Sequence, residues 1–458
     1  MTDPSLKTVT DADRNWRRFV LFRVLFNSRF YYPVLAVLFL DLGLSAAEYT
    51  VLNFAWALAI VFTDLPAGVL ADRIGRKPLV VAAACCMVAE MILLCVAPRQ
   101  GGLILLLCCF ANRILSGTAE GMASGADEAL VFDSLAERGR SAEWPNVLDQ
   151  VTRWQGVGMI LAMIVGGAVY DPAFMDHLSS SIGVPIHFLK SSTLRFPIYL
   201  NLITALLTLW VALGLREPTV RSRRITKEDQ DPSGPESTAW HLAAKAGKWI
   251  VQTPAALFVI TAGVLIDSVT RLFLTFSSSY FRIIELPEAT FGLIGASMGG
   301  LGLIVSPIAR RMVSTNSILR NYGILGVIVL AALIGVACRW NHWGVLFLFP
   351  LASAMVALGY IVSYYLNALV DSGHRATVLS FKGVAFNLGY GFISLLFALA
   401  LRAGRVGGSP SEAVAHGFAF LPLWLLFGGI ICAISFRQQR PLLSSILKTG
   451  DSSASPPA

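Results

Sequence analysis

Twelve long apolar runs constrain most strongly what this chain can fold into. Each run is close to or above the roughly 20 residues that a helix needs to cross the hydrocarbon core of a bilayer. A membrane barrel would instead show short segments of alternating polarity, so the runs predict helices. They lie near residues 19–43, 47–70, 78–98, 102–126, 146–170, 195–215, 253–281, 288–310, 319–339, 343–367, 376–402 and 415–436. The chain is therefore predicted to be an all-α polytopic membrane protein with twelve transmembrane helices.

The charged residues support this class and predict its orientation. They make up 14% of the chain, whereas soluble domains average about 25%. With the N-terminus inside, only seven of the 36 Lys and Arg residues fall in outside loops, namely Arg99, Lys190, Arg195, Arg282, Arg339, Arg402 and Arg405. Because cytoplasmic loops carry the excess of bases, both termini are predicted to be cytoplasmic. The net charge of +8 is then explained by loop bases, and no nucleic-acid partner is expected.

A polar connection divides the twelve runs into six plus six. We predict a cytoplasmic N-terminal tail (1–18), a first six-helix bundle (19–215), a linker (216–252), a second bundle (253–436) and a cytoplasmic tail (437–458). The last part of the linker, from Trp240 to Trp249, spaces apolar residues at helical intervals. This spacing indicates an amphipathic helix lying on the membrane surface.

A charged stretch between the second and third runs carries the most specific motif. It reads Gly68-Val-Leu-Ala-Asp72-Arg73-Ile-Gly75-Arg76-Lys77 and lies between Asp64 and Pro78. Lipid cannot hold these charges, so the stretch must lie at a membrane surface. It resembles the signature loop of the major facilitator superfamily of secondary transporters, between their second and third helices.

The resemblance implies a conformational latch on the cytoplasmic side. It would be formed by Gly68, Asp72, Arg73, Gly75, Arg76 and Lys77, and would join the two halves while the protein faces outward. Asp133 closes the segment after helix 4, and we expect it to pair with Arg73 or Arg76. The alternative is an ordinary basic loop that only sets the topology.

Weak sequence similarity between the two halves of the chain is a second feature in which it resembles this superfamily. Gly68 to Arg73 ends helix 2, and Ser306-Pro-Ile-Ala-Arg310-Arg311 ends helix 8 without the acid. Two pseudo-symmetric six-helix bundles with a substrate site between them near the membrane midplane are the layout that the resemblance implies.

Helix 4 carries the densest set of charges inside a span. Arg113, Glu120 and Asp127 are seven residues apart, which keeps them on one slowly drifting stripe of a continuous helix. The segment Arg113-Ile-Leu-Ser-Gly117-Thr-Ala-Glu-Gly121 resembles the R-x-x-x-G-x-x-x-G motif of the superfamily, which implies a role for Arg113 in proton handling. Glu120 stands where the family usually has a small residue. Arg113 and Glu120 are candidates for proton coupling, or for an ion pair that only holds helices together.

Two further acid–base pairs are spaced four residues apart, so each lies on one helix face. Asp267 and Arg271 on helix 7 are candidates for proton coupling, with simple mutual neutralisation as the alternative. Asp149 and Arg153 on helix 5 lie near the cytoplasmic end and are candidates for a cytoplasmic gate or a structural bridge.

Other polar residues inside the spans are candidates for the substrate cavity. They are Arg29, Tyr360, Tyr364, Asn367, Lys382 and Asn387. Arg29 has the alternative of reaching the cytoplasmic interface, and the tyrosines that of interfacial anchors. Glu90 on helix 3 receives less weight, because that helix is usually peripheral in the superfamily.

The sequence argues against an enzyme. It has no G-x-x-x-x-G-K-[ST] phosphate loop, no H-E-x-x-H and no paired Cys spacing, so no cofactor or metal is expected. The leading hypothesis is a monomeric secondary transporter of the cell (inner or plasma) membrane, with the bilayer, protons and a small molecule as its partners. The first hypothesis for its transport activity is proton-coupled export of amphipathic molecules. The alternatives are a symporter or uniporter of a small polar or anionic metabolite, and a membrane sensor or partner subunit that transports nothing.

Overall fold

The protein is all-helical wherever its structure is described. The computed structural model describes residues 4–99, 101–184, 186–218, 239–370, 375–403, 410–439 and 441. Its α-helices are α1 (Pro4–Asn27), α2 (Leu35–Leu42), α3 (Ala46–Ile74), α4 (Arg76–Val96), α5 (Leu103–Ala123), α6 (Ala126–Ala136), α7 (Trp144–Tyr170), α8 (Pro172–Ser181), α9 (Lys190–Thr193), α10 (Phe196–Gly214), α11 (Ala239–Gln252), α12 (Pro254–Thr275), α13 (Ser277–Ile283), α14 (Glu288–Thr315), α15 (Ile318–Ala337), α16 (Leu348–Leu369), α17 (Arg375–Ala403) and α18 (Pro410–Ser435). Short 3-10 turns precede α2, α7 and α16. The predicted all-α class is confirmed.

Eleven helical segments in these ranges are long and apolar enough to cross a membrane. The predicted span that is missing from this set is the first one, near 19–43. Instead of one helix, α1 ends at Asn27 and α2 begins at Leu35, with a 3-10 turn at Tyr32–Val34 between them. Pro33 explains the interruption, because it lacks an N–H and its ring clashes with the preceding helical turn. The prediction of an unbroken first span was therefore wrong.

The fourth span is also interrupted. α5 ends at Ala123, and the chain turns at Gly125, whose φ of 73° lies in the left-handed region, before α6 starts at Ala126. Asp127 therefore does not continue the stripe of Arg113 and Glu120, as the sequence pattern predicted. It is buried on α6 instead, with its Oδ2 atom 3.3 Å from Nη1 of Arg23.

The signature stretch is more helical than expected. α3 continues to Ile74, four residues past its predicted end, and contains Pro66 in its interior. Gly75 alone separates α3 from α4. Pro66 is therefore accommodated inside a helix and does not end it. The corresponding helix of the second half, α14, also contains a proline, Pro307, and extends to Thr315.

The chain divides into two compact units. Unit 1 comprises residues 1–44, 55–239 and 287–296, and unit 2 comprises residues 45–54, 240–286 and 297–458. The first turns of α3 thus belong to unit 2, and those of α14 belong to unit 1. In unit 1, α4 packs against α5 and α10, whereas in unit 2 α12 packs against α15, α16, α17 and α18. The most apolar part of α12 is 67% buried, the largest share of any candidate span, so it is the central helix of unit 2.

The segment from Trp240 to Trp249 is helical, as α11, in agreement with the predicted linker helix. Residues 219–238 of the linker lie outside the described residues. The predicted domain boundaries, the surface position of α11 and the orientation of the termini stay predictions.

Candidate functional site

A charged cluster lies inside unit 1 at the interruption of the first span. We call Arg29, Glu90, Arg113 and Glu120 the unit 1 cluster. Nη1 of Arg29 is hydrogen-bonded to Oε1 of Glu90, and their side chains are 2% and 0% exposed. Arg29 follows the end of α1, and Glu90 projects from the middle of α4. A buried pair of this kind costs desolvation energy, which only close pairing and further hydrogen bonds offset.

Helix α5 contributes the other two members. Arg113 is buried, and its guanidinium carbon lies 5.2 Å from the ring centre of Trp56. Glu120 is half-buried and close enough to Arg29 to interact with it electrostatically. The structure therefore brings together three predicted residues, Arg29, Arg113 and Glu120.

Backbone contacts hold the interrupted segment in place. The N–H of Phe30 donates to Oδ1 of Asn201 on α10 at 2.6 Å. Nδ2 of Asn112, next to Arg113, donates to the carbonyl oxygen of Glu90 at 2.9 Å. Gly166 on α7 packs so closely that an added Cβ would overlap the carbonyl oxygen of Phe30. The N–H of Phe30, which the break leaves without a helical acceptor, thus finds a partner on another helix, as the lipid environment requires.

The two glycines of the helix 4 motif have a packing role. A Cβ at Gly117 would lie 2.5 Å from the carbonyl oxygen of Trp56, and one at Gly121 would lie 2.8 Å from Cβ of Thr63. Small residues at this spacing let α5 and α3 approach closely. The motif therefore positions Arg113 beside α3 by bringing the two backbones together.

A second cluster lies inside unit 2 on α12 and α17. Nη2 of Arg271 donates to Oδ1 of Asp267 at 2.8 Å, and its Nη1 donates to Oδ1 of Asn387 at 3.1 Å. The guanidinium carbon lies 5.4 Å from the ring centre of Tyr390. Lys382, half-buried on α17, interacts electrostatically with Asp267. We call Asp267, Arg271, Lys382, Asn387 and Tyr390 the unit 2 cluster.

The predicted cavity residues on α16 make other contacts. Asn367 donates through Nδ2 to the carbonyl oxygen of Ser363 at 2.8 Å. Tyr364 is 40% exposed and packs edge-on against Tyr365. Tyr360 is half-buried. These contacts stay on α16 and do not reach Asp267 or Arg271, so a cavity role for the three residues stays a prediction.

The signature stretch is anchored by two acids of unit 1. Nη1 of Arg76 lies 2.5 Å from Oδ2 of Asp133, so the expected pairing of these residues is present. The carboxylate of Glu217 accepts hydrogen bonds from the backbone N–H groups of Arg76 (2.9 Å) and Lys77 (2.6 Å). Glu217 thereby caps the first turn of α4, where a carboxylate also compensates the helix dipole.

The remaining latch and gate residues are more exposed. Gly68 and Arg73 are exposed on α3, and Lys77 is half-buried. The side chain of Asp72 lies outside the described residues. Asp149 and Arg153 form an ion pair at 3.0 Å whose side chains are 66% and 69% exposed. An exposed pair of this spacing contributes about 0.3–0.5 kcal/mol. The latch and gate roles stay predictions.

A third polar group ties the start of α14 to α7 within unit 1. Nζ of Lys190 is bound to Oε2 of Glu288 and lies 3.9 Å from Oδ2 of Asp41. Oδ2 of Asp171 accepts the N–H of Ala289 at 3.1 Å. A Cβ at Gly292 would lie against backbone atoms of Met163 on α7. The first turns of α14 are therefore held by charge, by a helix cap and by close backbone packing.

Sequence reasoning missed three of these residues. Glu90 received little weight, although an acid in the middle of an apolar run is itself a signal of function. Glu217 could have been found as the first acid after helix 6, facing the bases of the signature stretch. Nothing local to Lys190 indicated its partner, because Glu288 is 98 residues away.

The described ranges contain no group of three or more His, Cys, Asp or Glu side chains arranged to hold an ion. All seven cysteines are free thiols.

Comparison with known proteins agrees with the helix pattern. Residues 19–394 match the family model described as the Major Facilitator Superfamily. No curated protein matches the chain in sequence. Among solved structures, the nucleoside transporter NupG is similar, with a TM-score of 0.68 and 13% identity over 94% of this chain and 98% of its own.

Two further structures have the same fold. A bacterial homologue of the human lysosomal transporter Spinster, in an inward-facing conformation, has a TM-score of 0.63 and 16% identity, covering 96% of this chain and 98% of its own. A D-xylose–proton symporter has a TM-score of 0.58 and 14% identity, covering 91% of this chain and 97% of its own.

Proposed function

Because the chain belongs to the major facilitator superfamily, we propose that it is a secondary active transporter that couples the movement of a small organic molecule to that of protons. It would work by alternating access, in which the substrate site opens to each side of the membrane in turn. The cell membrane, with both termini in the cytoplasm, is the expected location.

The observation that carries this proposal is the presence of an acid–base cluster inside each unit. Each ionised side chain at the centre of a span costs about 2.5–3.5 kcal/mol on insertion scales. Apolar packing would hold helices together without that cost. The unit 1 cluster and the Asp267–Arg271 pair therefore support a function that needs ionisable groups, such as proton coupling.

For the direction of transport and the class of substrate, the first candidate is export of amphipathic molecules. It is supported by the joint presence of the signature stretch and the Arg113-x-x-x-Gly117-x-x-x-Gly121 motif, a combination that resembles proton-coupled drug exporters. In this reading a carboxylate of one cluster takes up a proton as the substrate leaves, and the proton is then released on the other side.

A symporter or uniporter of a small polar or anionic metabolite is the second candidate. Arg113, Arg271 and Lys382 supply cationic groups suited to an anionic substrate. The D-xylose–proton symporter and the nucleoside transporter among the similar structures are named for small polar solutes.

Transport in proteoliposomes under an imposed proton gradient tests these proposals with a panel of amphipathic compounds, sugars, nucleosides and organic acids. We expect gradient-driven flux of at least one compound, which Asp267→Asn reduces to the rate seen without a gradient. Glu137→Gln, at an exposed position at the end of α6, is the matched control and should transport normally.

The outcome decides between the candidates. Movement of an amphipathic compound against the proton flow supports export, whereas movement of a polar compound with the protons supports symport. Flux that does not respond to the gradient indicates a uniporter. If no compound moves, the proposal of transport fails, and a membrane sensor or partner subunit is the remaining reading.

A further inference from the structure

We propose that Glu90 binds the coupling proton in unit 1, and that its protonation transfers Arg29 from Glu90 to Glu120. This inference rests on the proposed function, because a coupling proton presupposes transport. It assigns the proton to a residue of α4. The interrupted first span is then the part of unit 1 that changes conformation when the proton binds.

Glu90 occupies an unusual position for a carboxylate. Its side chain is 0% exposed and projects from the middle of a span. Oε1 is bound to Arg29, but Oε2 is buried and has no hydrogen-bond partner among the described residues. The same is true of the hydroxyl of Tyr31, which is close enough to interact with Glu90 electrostatically. Two buried polar groups without partners are costly, and each such group calls for an explanation.

The charged groups around Glu90 come from two elements. The interrupted segment contributes Arg29 and the hydroxyls of Tyr31 and Tyr32, and α5 contributes Arg113 and Glu120. With both acids ionised, two bases and two acids balance. A proton on either acid leaves one positive charge, which must be accommodated in a medium of low dielectric constant.

The other elements packed on α4 leave this balance unchanged. Helix α10 presents buried uncharged groups, Asn201, Thr204 and Thr208, and its Tyr199 is exposed. The three acids of α6 are engaged elsewhere, Asp127 and Glu128 with Arg23 and Asp133 with Arg76. On α4 itself, the thiol of Cys86 is the titratable neighbour of Glu90.

The proton adds to Oε2 of Glu90 and forms an O–H bond there. The carboxyl group becomes neutral, and its Oε2 changes from a hydrogen-bond acceptor to a donor. Arg29 keeps its charge but loses the ionic attraction of Glu90. Glu120 is then the acid that attracts Arg29, because the two already interact electrostatically.

A change of partner at Arg29 acts directly on the backbone. Arg29 lies between α1 and α2, where the backbone forms short turn hydrogen bonds, from Tyr32 to Arg29 and from Val34 to Tyr31, and no α-helical ladder. Such a segment can adjust its dihedral angles at lower cost than a helix interior, so this is where a proton can be converted into a movement of α1 relative to α2.

Proton binding is testable without knowing the substrate. The full-length protein is reconstituted in liposomes and titrated with acid, while infrared difference spectroscopy follows the carbonyl band of protonated carboxyl groups. We expect a band of a buried carboxylic acid that is lost in Glu90→Gln and retained in Glu120→Gln. Persistence of the band in Glu90→Gln overturns the proposal.

Transport separates this inference from the proposed function. For a compound that the wild type moves, we expect Glu90→Gln to lose accumulation driven by the gradient but to keep exchange of the same compound at equal concentrations on both sides. Gradient-driven accumulation in Glu90→Gln refutes the role of Glu90 and leaves the proposed function intact. If the wild type transports nothing, the proposed function fails and the coupling role fails with it.

A second variant covers the chance that Glu90→Gln unfolds. The single change leaves Arg29 buried beside a neutral amide, whereas Arg29→Gln/Glu90→Gln removes both charges and should fold better. We expect the double variant to lose the infrared band and the gradient response as well. Retention of either in a folded double variant contradicts the proposal.

Discussion

A single glycine determines how tightly the signature stretch can turn. Gly75 has a φ of 98° and is the sole residue between α3 and α4. A Cβ at this position would also lie 3.2 Å from the carboxyl group of Glu217. The glycine of the sequence motif is therefore needed for a positive φ and for the space that the helix-capping carboxylate occupies, in addition to the role of the motif's charges.

Gly75→Ala should destabilise the protein. Positive φ costs a residue with a Cβ about 1–3 kcal/mol, and the new methyl group presses on Glu217. Thermal unfolding of the purified protein measures the effect. Gly68→Ala is the control, because a Cβ there meets nothing within 4 Å and alanine favours the helix by about 0.5–1 kcal/mol. Equal melting temperatures for the two variants would contradict the explanation.

The Asp267–Arg271 pair should behave as a unit. Asp267→Asn leaves Arg271 without its anion, and breaking a buried pair costs about 3–5 kcal/mol. The side chain of Arg271 is 27% exposed, so solvent should reduce the loss below that range. Asp267→Asn/Arg271→Gln should recover part of it. Unfolding temperatures of the single and double variants test this coupling, which is absent if the two effects simply add.

Close packing of helices decides where the interrupted first span lies. The glycines of α7 differ sharply in their surroundings, since Gly166 touches the backbone of Phe30 whereas Gly156 has nothing within 4 Å of an added Cβ. Helix α7 is therefore a surface against which the segment between α1 and α2 is held, and this positions Arg29 beside Glu90.

Gly166→Ala should push the segment away from α7. Overpacking of this kind costs about 1–3 kcal/mol, and here the opposing atoms belong to the backbone, which yields less than a side chain. We expect a lower melting temperature and faster hydrogen exchange at residues 28–34, with Gly156→Ala close to the wild type. Similar exchange in both variants would count against the role of Gly166.

The start of α14 should loosen when its ion pair is removed. Lys190→Met leaves Glu288 and Asp41 without the cation that lies between them. We expect faster amide hydrogen exchange at Ala289 and the residues after it. Lys248→Met, at an exposed position on α11, serves as the control. No change at α14 would show that the glycine packing and the Asp171 cap hold it without the ion pair.

For the whole molecule, orientation in the membrane is the property that the charge pattern predicts. Both termini should be cytoplasmic, because most of the bases lie in the loops on that side. Affinity tags at each end should be cleaved by protease in inside-out vesicles and protected in right-side-out vesicles. A tag cleaved from the outside would overturn the predicted orientation and the assignment of the signature stretch to the cytoplasmic surface.

The sequence by itself determined the fold class. Because lipid offers no hydrogen-bond partners, a spanning chain must satisfy its backbone groups internally, so long apolar runs predict helices. Charges at the ends of these runs mark the membrane surfaces. Pairs spaced four residues apart, such as Asp267 and Arg271, were also predictable because one helix places both on one face. The charges of two neighbouring surface segments predicted that Asp133 pairs with Arg73 or Arg76, and the structure shows the contact with Arg76.

The tertiary structure decided what the apolar pattern could not. Mean hydropathy is averaged over many residues, so it did not indicate the break at residues 28–34 within an apolar run. The break exists because distant groups satisfy its backbone and its charge, Asn201 on α10 and Glu90 on α4. Glu90, Glu217 and Lys190 gained their importance in the same way, from partners brought close by helix packing and not by spacing along the chain.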